Sequence, residues 1–379
     1  LGTYGRTHDF NTEPNLCSVG FAAAPGTDVT FSDYVIKNCG QSTDKVVFGM
    51  TDYDLFNGMP SVTVNGAKIN VKNDTKKLTI GYADPSRGGQ TMLRTTFDLN
   101  KKVKKAKLYA TAMGVYELFI NGKRVGEDWF APGDSQYREL LGYTAYDVTG
   151  MMADGNNCLA ANLYPGWYTG YMTFTSSNFN FFGDYEALLS KLVVTYEDGT
   201  KEVITSNPET WQAYNDGPVR YGNFFNGERY DARKEAGVAG WNTASFNASK
   251  WHQAQVIPTR DWVNFDIKAR YDEPVRVRET LTATRVMPVH SADNHTYIYD
   301  MGVNMVGVPS ISVPAGYLAE GDTVILRYAE QLYPGFKGDD PYYVKTYGPK
   351  GKNIAGRPLY ETVRAAYVTD FYVAKGGEA

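Results

Sequence analysis

The chain has 379 residues, a formal net charge of −4, 29 tyrosines, 38 glycines and three cysteines. That length gives room for two or three domains with their own cores, and so slight an acidic balance excludes the electrostatic footprint of a nucleic-acid binder. No apolar run is long enough to span a membrane, and Cys17, Cys39 and Cys158 make no disulfide framework, although export would leave Cys17 and Cys39 free to pair. Tyrosine and glycine at this level suit strands joined by many turns. The rings also suit sugar recognition, because an aromatic face stacks on the C–H face of a pyranose, though packing alone explains them equally well.

In chain order, residues 1–90 form an irregular N-terminal β segment. Its clearest element is "VTVNGAKINV" (Val62 to Val71), two alternating runs about Asn65-Gly66, a dipeptide that tolerates positive φ at both central positions of a tight turn. The opening "LGTYGRTHDF" shows no signal peptide and reads as a trimmed or mature end. Residues 91–255 repeat the device in "VYELFINGKRV" at Asn121-Gly122, and "KLVVTYEDGTKEVIT" repeats it at Asp198-Gly199. Tyr116, Leu118 and Ile120 share one strand face. The lysines 101, 102, 104, 105 and 107 read as a solvated approach to a strand. "VIPTRDWVNFDIKARYDEP" is a linker by composition, and residues 270–379 resume with strands such as "TVILRY", in which Val324, Leu326 and Tyr328 alternate. No segment keeps a long helical period. The fold class expected is all-β: tandem β-sandwiches of jelly-roll or galactose-binding-like type, with few short helices.

Two stretches hold candidate site residues. "PGWYTG" places Trp167 and Tyr168 in a glycine-bounded loop, either as a stacking platform for sugar or as core packing. "YGNFFNGERYDAR" (Tyr221 to Arg233) holds Asn226, Glu228, Tyr230 and Asp231. Glu228 and Asp231 admit three readings: an acid–base pair, a strand-edge network, or an edge that contacts sugar or calcium. Glycosidases place two carboxyls across a sugar, one with a raised pKa, whereas an acid beside Arg229 and Arg233 is expected to be ion-paired and lowered. The strand-edge network is the simplest of the three, and no catalytic residue is assigned. His8, His252, His290 and His295 have no orienting carboxylate at a telling spacing. There is no GxSxG elbow, and "GPKGKN" is a lysine-rich turn rather than a phosphate loop. Neither CxxC nor HExxH occurs, so no zinc site is expected. Asn73, Asn247 and Asn294 head N-x-S/T triplets of a kind that arises by chance.

An ordered series of motifs resembles the bacterial α-L-rhamnosidases, family 78 of the glycoside hydrolases. "AKLYATAMGVYELFINGKRVGEDWFAPG" (Ala106 to Gly133), "YTAYDVTGMM", "YPGWYTGYMTF", "FFGDYEALLSKLVVTYEDGT" and "TWQAYNDGPVRYGNFFNGERYDARKE" are similar to that family's N-terminal module. "YIYDMGVNMVGVPSISV", "GDTVILRYAEQLYP" and "RAAYVTDFYVAKGGE" resemble its following β-sandwich. Two positions depart from the family's pattern: Asp134 follows Pro132-Gly133, and Val303 replaces a glutamine in Asp300-Met301-Gly302-Val303-Asn304. The resemblance implies a bacterial, exported protein acting on a rhamnose-containing glycan. It also implies that the chemistry lies on an (α/α)6 barrel C-terminal to the sequence given, which would be the packing partner of these modules. No cofactor is expected, but the family includes rhamnose-binding modules that use calcium, and Asp184, Asn226, Glu228 and Asp231 would supply some of the oxygen ligands calcium requires. The expectation is therefore the non-catalytic portion of such an enzyme. The alternative is a stand-alone, lectin-like protein that binds carbohydrate, and a third option is a purely structural module packed on a partner.

Overall fold

The computed structural model describes residues 20–32, 36–38, 45–48, 61–65, 68–82, 90–170, 181–183, 185–225, 227–257, 266–288, 296–333, 357–363, 366 and 368–377. The first part supplies short strands: β1 (Gly20–Ala23), β2 (Thr27–Ser32), β3 (Ile36–Asn38), β4 (Lys45–Phe48), β5 (Val62–Asn65), β6 (Lys68–Asn73) and β7 (Thr79–Tyr82). They pair as β1–β7, β2–β6–β5 and β3–β4. The expected hairpin is there, with Val62 opposite Val71 and Val64 opposite Ile69. Its Gly66 lies outside the described residues. Asn73 is fully buried and donates from Nδ2 to the carbonyls of Ala23 and Lys77, both at 2.8 Å, so it is a structural clamp, closed to glycosylation.

The middle of the chain runs through β8 (Thr91–Leu99), β9 (Val103–Met113), β10 (Val115–Ile120), β11 (Lys123–Arg124), β12 (Leu140–Asp147), β13 (Gly155–Tyr164), β14 (Ala187–Tyr196), β15 (Lys201–Thr205), β16 (Gln212–Tyr214), β17 (Val219–Asn223), β18 (Gly227–Asp231), the short helix α1 (Glu235–Val238) and β19 (His252–Gln253). A six-stranded sheet, β11-β10-β13-β8-β16-β19, and a five-stranded sheet that begins β15-β14-β9-β12 form the sandwich. Period-2 alternation builds its core. On β9, Ala106, Leu108, Ala110 and Ala112 point inward and are buried, while Lys104 and Lys105 are exposed. They meet Leu118, Ile120, Leu159, Leu192 and Trp211 in one cluster. Each fully buried Leu or Ile there contributes about 1.5–3 kcal/mol. Asn121 and Gly122 both take positive φ, 50° and 81°, as the tight turn of β10–β11 demands. The β14–β15 connection is longer: Asp198 accepts from Thr200 N at 2.9 Å and from Lys101 Nζ at 2.8 Å, and only Gly199 of that dipeptide has positive φ.

The last part adds β20 (Asp266–Ala269), β21 (Arg285–Pro288), β22 (Tyr297–Asp300), β23 (Thr323–Arg327) and β24 (Thr369–Val373). The stretch expected to be a linker contributes β20, which pairs in parallel with β12, Leu140 opposite Asp266, and completes the five-stranded sheet. The Arg270 side chain lies over Gly142, where a Cβ would stand 2.8 Å from Arg270 Cγ. A second junction is the sheet β17-β18-β24-β23, in which β18 pairs in parallel with β24. The described protein is thus all-β, in sandwiches, with α1 its one α-helix.

Candidate functional site

The stretch Tyr221 to Arg233 folds as the β17–β18 hairpin, with Gly222 opposite Glu228 and Asn223 opposite Gly227. Phe225 N donates to Asn223 Oδ1 at 2.8 Å and starts the turn. Gly227 has φ 81°, and a Cβ there would stand 2.3 Å from Thr369 O. Both the backbone conformation and the approach of β24 therefore require glycine.

On a strand, residues three apart face opposite ways, so Glu228 and Asp231 do not confront each other across a substrate. Asp231 is buried and accepts Arg233 Nε at 2.9 Å and Nη2 at 2.7 Å, a two-pronged ion pair. Burial alone would raise its carboxyl, but the Arg233 hydrogen bonds and charge outweigh that and hold it below the usual carboxylate range. This is the ion pairing expected from the sequence. For Glu228 the expectation fails. Desolvation, then repulsion from Asp370 and Glu117, pushes its carboxyl up to about 7. The side chain keeps an exposed edge to solvent, which screens part of that rise. Glu228 N donates to Asp370 Oδ1 at 2.7 Å, and Tyr328 O–H donates to Asp370 Oδ2. Glu117 is met by Arg124 Nε at 3.4 Å and by the Tyr164 hydroxyl at 3.4 Å. Tyr230 stacks on Tyr372, centroids 5.9 Å apart, and its hydroxyl donates to Glu235 Oε1 at 2.9 Å.

In "PGWYTG" the two rings part company. Tyr168 is 3% exposed and packs against Tyr137 and Phe182, at 5.1 and 6.4 Å between centroids, so it sits in the core and presents no face to solvent. Trp167 is half-buried and lies tilted against Phe224, 4.6 Å between centroids; Phe224 in turn meets Phe130 edge-on. The hairpin turn and the loop thereby form one aromatic edge. Beneath it, Thr169 Oγ1 donates to Glu186 Oε1 at 2.8 Å, and burial raises the Glu186 carboxyl. Asp184 and Asn226 lie outside the described residues. Among the described residues no group of three or more His, Cys, Asp or Glu is placed to hold a metal ion. Sequence reasoning missed Glu117, Glu186 and Asp370. Glu117 and Asp370 are isolated acids in ordinary strand sequences, Glu186 stands just before β14, and only pairing of distant strands brings Asp370 to Glu228.

Residues 101–279 match the family model for the α-L-rhamnosidase N-terminal domain, and residues 290–379 match that for the bacterial α-L-rhamnosidase concanavalin-like domain. An α-L-rhamnosidase of Streptomyces avermitilis is 38% identical over 297 residues, 78% of this chain and 26% of that protein. The solved α-L-rhamnosidase of Dictyoglumus thermophilum aligns with TM-score 0.62 at 29% identity, over 76% of this chain and 28% of that one. The Streptomyces avermitilis α-L-rhamnosidase complexed with L-rhamnose aligns with TM-score 0.63 at 27% identity, over 95% of this chain and 37% of that one. The chain thus spans about a quarter of the length of the curated relatives it matches, from 26% to 29%.

Proposed function

Because this chain belongs to the α-L-rhamnosidase family and matches its N-terminal and concanavalin-like domain models, we propose that it is the non-catalytic β-sandwich portion of a longer bacterial glycoside hydrolase acting on terminal rhamnose of glycans. The observation that carries this is the match of two successive domain models in a chain about a quarter as long as its relatives. The arrangement of acids supports it: Asp231 is spent on Arg233, and Glu228 points away from it. In this reading the units are residues 1–90, 91–255 and 270–379, and export follows because a polymeric glycan is met outside the cell.

The role of such modules is to pack on and position a catalytic domain. The strand faces of the last unit fit that role: Val286, Tyr299 opposite it, and Ile325 are 50%, 61% and 58% exposed and leave apolar surface for a neighbour to cover. The test is fluorescence of the apolar dye ANS, measured on the 379-residue protein and on the longer protein. Bright fluorescence of the former, diminished in the latter, is the expected result; equal fluorescence per chain would overturn the packing role. The lectin-like alternative rests on Trp167 and the aromatic edge it forms with Phe224. Saturable binding of rhamnose that is lost in Trp167→Ala would favour it.

A further inference from the structure

The five-stranded sheet turns one face to the core, through Leu108, Ala110, Leu192 and Val194. The residues that alternate with these point to solvent, and such a face is ordinarily polar. Here Tyr109, Tyr143, Leu189, Lys191, Val193 and Ile267 line a groove of about 460 Å³, in which Leu189 and Ile267 are 50% and 45% exposed. Strand register gathers charge of one sign around it. Lys191 lies opposite Tyr109, Lys107 lies opposite Val193, and Lys105 and Lys201 flank Thr195 on its two sides. Among the described residues none of these four lysines forms an ion pair, whereas neighbouring Lys101 is held by Asp198 at 2.8 Å. Asp147 lies opposite Lys107, but its carboxylate accepts from Thr149 N at 3.1 Å and from Thr149 Oγ1 at 2.7 Å. Thr149, and after it Lys105 and Lys107, hold that carboxyl below the usual range, so one acid answers four lysines. Lysines guard sheet edges against pairing with other chains, and Lys201 on the edge strand β15 fits that duty. Lys107 on β9 and Lys191 on β14 stand on interior strands, where there is no edge to guard.

We propose that this groove docks an acidic peptide segment of a partner protein, its apolar side chains in the groove and its carboxylates on the lysines. Charge complementarity selects the acidic partner, and the apolar lining selects one with aliphatic side chains to bury. A hydroxyl-rich polymer would call for polar groups in the wall, yet Thr111, which lines the groove, already donates its Oγ1 proton to Gly142 O at 2.7 Å. A lipid bilayer fits a protruding apolar surface, whereas this one is recessed. The lysines are too few, and the whole chain at net charge −4 too acidic, for a nucleic-acid backbone. The inference goes beyond the scaffold role and stands apart from it: a bare groove would leave that role, and the exposed strand faces of the last unit, as they are.

The experiment is fluorescence anisotropy of a labelled peptide, Glu-Leu-Asp-Val-Glu-Leu-Asp-Val, titrated with the 379-residue protein. When extended, this probe carries its acids on one side and its aliphatic side chains on the other. It is expected to bind with a Kd on the order of 0.1 mM or tighter, and more weakly as NaCl is raised from about 0.05 M to about 0.5 M. The double variant Lys107→Glu, Lys191→Glu should raise the Kd at least about tenfold. Leu189→Ser, which leaves every charge in place, should raise it at least about threefold, an effect that diffuse attraction between charges would not produce. All three side chains reach solvent, so these variants keep the fold. Trp167→Ala should bind as the native sequence does. Absence of saturable binding would overturn the proposal. So would equal affinity for a peptide with lysine in place of every acid, or binding that survives both groove variants. Preference for vesicles of phosphatidylserine and phosphatidylcholine over the peptide would assign the face to a membrane and overturn it as well.

Discussion

Glu228 and Asp231 lie three positions apart on one strand and titrate in opposite directions. The Glu228 carboxyl moves from 4.5 to about 7 on folding. Between those values the native protein holds more protons than the unfolded chain, so stability falls as pH rises through that window and stays lower above it. Glu228→Gln removes the cost. It should raise Tm at pH 8 and leave it unchanged near pH 4, with a gain under about 1 kcal/mol once solvent screening of its exposed edge is counted. Asp231 has the reverse sign. Its carboxyl is lowered by Arg233, so its contribution is full above the ordinary carboxylate pKa and is lost as pH falls through the folded one. Asp231→Asn should cost about 1–2 kcal/mol at pH 7 and little in strong acid, as read from urea midpoints at the two pH values.

At the scale of elements, the seam between β18 and β24 holds the middle of the chain to its last part. Gly227→Ala puts a Cβ into Thr369 O at a positive φ. It should destabilise by at least about 2 kcal/mol and loosen β24 first, visible as faster amide exchange at residues 369–373. Leu192→Ala, in the middle of the sandwich core, should cost about 2–5 kcal/mol in urea unfolding. The hairpins were legible in the sequence because their signals are local: Asn121-Gly122 needs only its own two φ angles. The alternation that places Leu118 and Ile120 inward is local too. The seam was not legible, since Glu228 and Asp370 stand 142 residues apart and nothing in either stretch names the other. Strand β20 was hidden for another reason. All four of its residues are exposed, so no burial pattern marks it, and the edge of β12 draws it into the sheet. Of the candidate site, the Asp231–Arg233 pair forms as the neighbouring charges suggested. Tyr168 went to the core because Tyr137 and Phe182, distant in sequence, converge on it.

For the whole molecule, the sandwich of the six- and five-stranded sheets encloses a continuous core, whereas strands β21 to β23 carry apolar residues on exposed faces. A molecule built this way is suited to present and brace a neighbour. Glu117, Glu228 and Asp370 come together where β18 and β24 join the middle of the chain to its last part. The measurement that tests this most directly is release of the leaving group from a chromogenic α-L-rhamnoside by the purified 379-residue protein, followed from pH 4 to pH 8. The account predicts a rate indistinguishable from buffer at every pH, for the native sequence and for Glu228→Gln alike. Turnover by the native sequence, whether abolished by Glu228→Gln or surviving it, would contradict it.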